Sequence, residues 1–224
     1  MRREFQVPTR VHGHCVVEGP DEEAGPRPLL VGFHGYAETA ETHLEALNGI
    51  PGIAAWRRCA VQALHPFYRV KTGEVVASWM TRLNRGLAIE DNVRYVAEAV
   101  SRVREDLPTR DPLVYLGFSQ GTAMAYRAAA GAGHRCRALL ALGGDVPPEL
   151  AGRELTDFPP VLIGRGTTDP WYSEDKLEAD VALLRGKGVT VEICRFEGGH
   201  EWSDAFYRAA GAVLKSAEAS APGA

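Results

Sequence analysis

The sequence predicts an α/β fold, with a mostly parallel, doubly covered sheet in one domain. Three observations carry that expectation. Short apolar runs rich in β-branched residues alternate along the chain with helix-forming stretches, the pattern of repeated strand–helix units. A length of 224 residues suffices for one well-buried core and falls short of two ordinary domains plus a lid. Finally, there is no internal repeat, low-complexity tract or interdomain linker.

The elements follow in order. Residues 5–18 are expected to form an antiparallel edge strand or hairpin, and 19–26 a polar turn opened by Gly19-Pro20. A strand near 28–34 precedes a helix over 40–47. The next strand, 59–64, ends at His65-Pro66, and the loop 65–80 is longer than a minimal strand-to-helix connection. A long helix spans about 87–106. There Ile89, Val93, Val96, Val100 and Val103 recur at spacings of three and four and form one apolar face. Later strands lie near 112–117, 137–142, 160–164 and 189–196, with helices between and after them. The domain is expected over 1–216, and 217–224 as a disordered tail.

Composition excludes several classes of function. A formal net charge of −4 argues against nucleic acid as a partner, since binding it requires a basic surface. No run of about 18 apolar residues is present, so no integral membrane association is expected. The first residues carry charge with no apolar stretch behind them, so they do not read as a signal peptide. Cys15, Cys59, Cys136 and Cys194 are widely spaced with no Cys-x-x-Cys pair, which fits reduced thiols and a cytoplasmic location. His12-Gly13-His14 lacks a third ligand, so no metal site is expected. No phosphate-binding glycine loop follows a strand, so no cofactor is expected either.

Chemistry concentrates at Gly117-Phe118-Ser119-Gln120-Gly121, between the apolar run 112–116 and the helix-forming run 122–130. A serine at the apex of so tight a turn holds strained backbone angles, and side chains two residues either side would collide with neighbouring backbone. Glycines at 117 and 121 remove that collision and leave the Ser119 hydroxyl clear above the sheet. The following helix aims its N-terminal amides at the same spot, where negative charge is tolerated.

Partners follow in chain order. Asp169 lies just past the strand near 160–164, and His200 in the glycine-flanked loop after 189–196. Both therefore reach the sheet edge where ligand sites gather in open parallel sheets. A serine hydroxyl attacks well only when a base removes its proton, and imidazole titrates near neutrality. His200 is the expected base, and Asp169 the acid that fixes its tautomer and stabilises the imidazolium. Asp145, just after the preceding strand, stays open as the alternative acid. An oxyanion needs two donors: the Gln120 amide after the nucleophile, and the Tyr36 amide in the loop His34-Gly35-Tyr36. His34 itself reads as a packed, hydrogen-bonded support for that loop.

The pieces Phe33-His34-Gly35, Gly117-Phe118-Ser119-Gln120-Gly121, Gly164-x-Gly166-x-x-Asp169-Pro170 and Gly199-His200 resemble the phospholipase/carboxylesterase branch of the α/β-hydrolase superfamily, to which acyl-protein thioesterases also belong. The resemblance runs from about residue 28 to the last helix. It implies a lidless α/β-hydrolase domain that cleaves esters or thioesters of small to medium acyl groups through an acyl-enzyme, without a cofactor. Where that family's first loop usually continues Leu-Gly-Asp, this chain has Tyr36-Ala37-Glu38. Thr122 replaces a second glycine after the elbow, and Arg165-Gly166 replaces His-Gly before the acid.

The surroundings of the triad should set specificity. Phe67, Trp79 and Met80, with Trp171 and Tyr172, are candidates for an acyl wall, or for aromatics that only pack the loops down. Arg82 and Arg85 are expected to pair with Glu90 or Asp91, the alternative being an acidic group on a substrate. Two other functions fit the same residues: an acyltransferase using the same triad, and a non-catalytic binding protein on a hydrolase scaffold. The oligomeric state is not readable from the sequence.

Overall fold

The structure, a computed structural model, describes residues 1–221. Nine strands and five α-helices follow one another among the described residues. The strands are β1 (Cys15–Glu18), β2 (Arg27–Phe33), β3 (Arg57–Val61), β4 (His65–Tyr68), β5 (Val75–Ser78), β6 (Thr109–Phe118), β7 (Ala138–Leu142), β8 (Val161–Gly166) and β9 (Val191–Phe196). The helices are α1 (Ala40–Leu47), α2 (Arg85–Asp106), α3 (Gln120–Gly131), α4 (Glu174–Gly186) and α5 (Asp204–Ala219).

Seven strands form one sheet in the order β1-β3-β2-β6-β7-β8-β9. All neighbours pair in parallel except the edge pair β1 and β3. Side chains alternate across this sheet. Leu29, Val31 and Phe33 of β2 join one core with Val96, Val100 and Val103 of α2, Met124 of α3 and Leu177 of α4. Leu30 joins the other, with Leu44 and Leu47 of α1 and Phe206 and Leu214 of α5. Both faces are thus covered, which is why the strands read as nearly continuous apolar runs.

The strand order reverses at β2. The chain first builds outward to β3 and then returns to place β6 on the other side of β2. The loop after β2 and the turn after β6 therefore open side by side, with Phe33 paired to Gly117. A crevice at such a switch point is where open α/β sheets bind ligands.

Several boundaries differ from expectation. The edge strand is only Cys15–Glu18, because the preceding chain leaves the ladder: the Tyr95 hydroxyl donates to His14 O at 2.7 Å, and Gly13 crosses directly over the Tyr95 ring. The loop 65–80 contains a hairpin, β4 with β5. Helix α2 buries Ala88, Asn92 and Ala99 beside its valines, while Ile89 and Val93 lie only half-buried. Arg85 pairs with Glu149 rather than with Glu90 or Asp91. The tail expected from 217 is helical through Ala219, since Ala210, Leu214, Ala217 and Ala221 continue one buried stripe. Its last three positions, 222–224, lie outside the described residues. Among the described residues, no helix is long and apolar enough to cross a membrane.

Candidate active site

The turn after β6 is strained by sequence design. Ser119 has φ 54° and ψ −120°, a conformation that costs a non-glycine residue on the order of 1–3 kcal/mol. Its neighbours explain how it is held. A Cβ on Gly117 would sit 2.3 Å from Gly121 O, and one on Gly121 only 2.0 Å from Phe33 O. The Ser119 amide donates to Leu142 O at 2.8 Å. Thr122, fully buried, brings its hydroxyl within 3.1 Å of both Gly117 O and Leu142 O. The residue that departs from the usual glycine thus ties the elbow to β7.

Ser119, His200 and Asp169 meet in one hydrogen-bonded line. Ser119 Oγ lies 2.7 Å from His200 Nε2, and His200 Nδ1 lies 2.8 Å from Asp169 Oδ2. The other carboxylate oxygen, Oδ1, accepts the Trp171 and Tyr172 amides at 2.9 and 3.0 Å. Burial pushes the Asp169 carboxyl up, but the Tyr172 amide, His200 and the Trp171 amide outweigh it and hold it below its usual range. With Asp169 ionised, Nδ1 carries the imidazole proton and Nε2 is left as an acceptor for the serine proton.

The loops carrying Asp169 and His200 are zipped together. Thr167 N–H donates to Phe196 O, and both the amide and the hydroxyl of Thr168 donate to Gly198 O. Gly166 lies so close to Gly199 O that a Cβ would approach to 2.1 Å. Arg165, buried, donates through Nε to Tyr172 O at 2.8 Å and through Nη1 to Glu174 at 2.8 Å, holding the far end of the Asp169 loop. Asp145 is elsewhere: it is half-exposed and pairs with Lys176 at 3.2 Å.

The Tyr36 and Gln120 amides make no hydrogen bond among the described residues. His34 is fully buried, accepts the Ala63 amide at Nε2 (3.0 Å) and holds Gly35 O from Nδ1 (2.6 Å). The Gln120 side chain turns away to grip the Ser78–Met80 segment: Oε1 accepts the Trp79 amide at 2.9 Å, and Nε2 donates to Met80 O at 3.2 Å.

The five candidate wall residues separate by burial. Trp171 is 66% exposed and meets the His200 ring edge-on, with centroids 4.7 Å apart. Phe67 stacks on the exposed Tyr36 ring at 5.5 Å, and Met80 lies half-buried against Arg127. Trp79 and Tyr172 present no surface to a substrate. Their polar atoms are satisfied inside, Trp79 Nε1 by His34 O and the Tyr172 hydroxyl by Asp180. For these two, packing is the role.

Sequence reasoning did not single out Phe118, which packs under the His200 ring at 5.0 Å, or Trp202 beyond it at 5.7 Å. It also missed Glu38 and the buried Asn92, whose amide donates to Trp79 O at 2.8 Å. An aromatic within the elbow and a tryptophan two residues after His200 were the available signals. A separate cleft of about 780 Å³, lined by Glu18, Asp21, Glu22, Arg57 and Arg58, lies at the opposite ends of the parallel strands and shares no residue with the Ser119 site.

Solved structures with this architecture include the esterase PE8 (17% identity, TM-score 0.72, covering 92% of this chain and 100% of that one). A phospholipase/carboxylesterase from Dyadobacter fermentans is similar at 17% identity and TM-score 0.67, covering 91% and 97%. A carboxylesterase from Mesorhizobium loti is similar at 19% identity and TM-score 0.68, covering 87% and 90%. No protein-family model matches the chain, and no curated protein does.

Proposed function

We propose, on the premise of an α/β-hydrolase fold, that the protein is a serine hydrolase. It would cleave carboxylic esters or thioesters of small to medium acyl groups through an acyl-enzyme. One observation carries this reading: the unbroken line from Ser119 Oγ through the His200 ring to a buried Asp169 carboxylate. Nothing about binding alone calls for all three groups in that register.

In this mechanism His200 Nε2 takes the Ser119 proton as Oγ attacks the substrate carbonyl. The oxyanion forms against the Gln120 and Tyr36 amides, whose N–H groups have no other partner among the described residues. Collapse expels the alcohol or thiol, which leaves with the proton from His200. Water then repeats the sequence on the acyl-enzyme, releasing the acid and restoring Ser119. The exposed rings of Trp171 and Tyr36, with Phe67 behind the latter, flank the approach and favour an apolar acyl or alcohol portion. Four free thiols suit a reducing, cytoplasmic compartment.

The test is hydrolysis of p-nitrophenyl esters from acetate to palmitate by wild type and Ser119→Ala, with fluorophosphonate labelling alongside. Turnover and labelling lost in the variant support the reading, and the chain-length optimum sizes the pocket. Equal rates in both proteins would overturn it. Labelling with turnover only when an added alcohol or amine replaces water would move the assignment to an acyltransferase.

A further inference from the structure

We infer that Glu38 is a positioning residue for the Tyr36 amide, closing the oxyanion loop on itself through its carboxylate. This rests on the serine-hydrolase reading above.

The geometry begins with one peptide unit. The Gly35 carbonyl and the Tyr36 N–H belong to the same trans peptide and so point in opposite directions. His34 Nε2 accepts the Ala63 amide, so the ring proton is on Nδ1, which donates to Gly35 O at 2.6 Å. Holding that carbonyl toward His34 turns the Tyr36 N–H the other way. A single bond at one end does not hold the loop, because Ala37 beyond it is in the left-handed region at φ 59°. A residue with a Cβ relaxes out of that region unless its neighbours over-determine it.

Three bonds restrain the far end from outside. Ala37 N–H donates to Ala77 O, Ala77 N–H donates to Glu38 O, and Arg69 Nη2 donates to Ala37 O at 2.5 Å. All three depend on the β4–β5 hairpin. The fourth bond is internal: Glu38 Oε2 accepts the Gly35 amide at 2.7 Å. It spans Tyr36 and Ala37 and fixes the peptide preceding the one that His34 holds. With both peptides flanking Gly35 pinned, the Tyr36 N–H has one direction left. Among the described residues the Glu38 carboxylate makes no hydrogen bond to Ser119 or His200, although it is near enough to feel the His200 charge. It acts through the loop.

The experiment compares kcat and KM on p-nitrophenyl acetate for wild type, Glu38→Ala and Glu38→Gln, with thermal melts and fluorophosphonate labelling rates. Glu38→Ala is expected to lose about 10- to 100-fold in kcat, short of the loss on deleting a donor outright, with KM within about twofold and labelling slowed in parallel. Glu38→Gln is expected to recover most of the rate, since its amide oxygen can accept the same Gly35 bond. If the alanine variant does not fold, Glu38→Leu takes its place in the comparison. An unchanged kcat in a folded Ala or Leu variant overturns the inference, as does a loss confined to KM or a glutamine variant as impaired as alanine. In those cases wild type is active and the hydrolase reading stands. A wild type that neither labels nor turns over removes both.

Discussion

Asp169 Oδ2 sits 2.8 Å from His200 Nδ1, while Asp169 Oδ1 is occupied by two backbone amides from its own loop. The carboxylate is therefore fixed in rotation before it touches the histidine, and only one oxygen is free to accept the ring proton. Asp145, the rival acid, spends its charge on Lys176 at the surface.

Asp169→Asn should cut kcat on p-nitrophenyl acetate by about 10⁴-fold at neutral pH, because an amide at that position favours the wrong imidazole tautomer. Asp145→Asn should stay within about threefold of wild type, as expected for an exposed pair. Steady-state kinetics on the two variants decides, and the reverse order would reassign the acid.

Gly121 faces backbone: a Cβ there would lie 2.0 Å from Phe33 O and 2.6 Å from His34 O. Phe33 is paired with Gly117 in the β2–β6 ladder, and His34 O accepts the Trp79 indole N–H at 2.8 Å, so neither residue can move aside without disturbing these contacts. Gly121→Ala should cost roughly 3 kcal/mol, a fall in Tm of about 6–12 °C for a chain of this size. Gly152→Ala, with open space around it, should leave Tm within about 1 °C. Thermal melts of the pair test whether close backbone approach, and not glycine flexibility, is what the elbow requires.

Gln120 has two functions separable by mutation. Its amide is proposed to meet the oxyanion, whereas its side chain holds Trp79 N–H and Met80 O. Gln120→Leu keeps the amide and removes the grip. It should destabilise by about 1–3 kcal/mol through the unpaired Trp79 amide, and raise KM more than it lowers kcat as the Met80 segment loosens. Urea unfolding and ester kinetics on the variant would show the split, and a kcat loss at unchanged KM would contradict it.

The parts of the site that the sequence makes legible are those governed by local rules. Strand, turn and helix around Ser119 follow from residues within ten positions of it, and Asp169 and His200 follow from lying just past the ends of β8 and β9. Residues that act through contacts between loops left no such trace. Glu38 closes a bond to Gly35 only because Ala37 is left-handed. Phe118 reads as a core residue until the β9 loop brings His200 over it. The hairpin β4–β5 was hidden because its strands are four residues each, although Lys71-Thr72-Gly73-Glu74 between two β-rich runs is a turn signal. Trp79 and Tyr172 show the converse. The sequence leaves them open between an acyl wall and loop packing, and only the tertiary structure shows that both are buried.

His43 gives the protein an acid sensitivity of its own. The ring is fully buried in α1 against β2 and Trp202, and neither nitrogen has a hydrogen-bond partner among the described residues. Burial, with a smaller contribution from His34, pushes its pKa down from 6.5 to about 3. The folded-state value is depressed, so between pH 6.5 and 3 the unfolded chain binds the extra proton. Stability from this group is therefore complete above pH 6.5 and lost as pH falls toward 3. At pH 4.5 the two-unit gap below 6.5 amounts to about 3 kcal/mol. Asp169, held below its usual range, also loses stabilisation in acid, so wild type alone does not isolate the histidine. His43→Leu removes the titration and an unsatisfied buried polar group together. It should match or exceed wild type at pH 7.5, and lose about 2–3 kcal/mol less than wild type between pH 7.5 and 4.5. Urea unfolding at the two pH values gives the difference directly, and parallel losses in the two proteins would mean that His43 is hydrated or protonated in the native state.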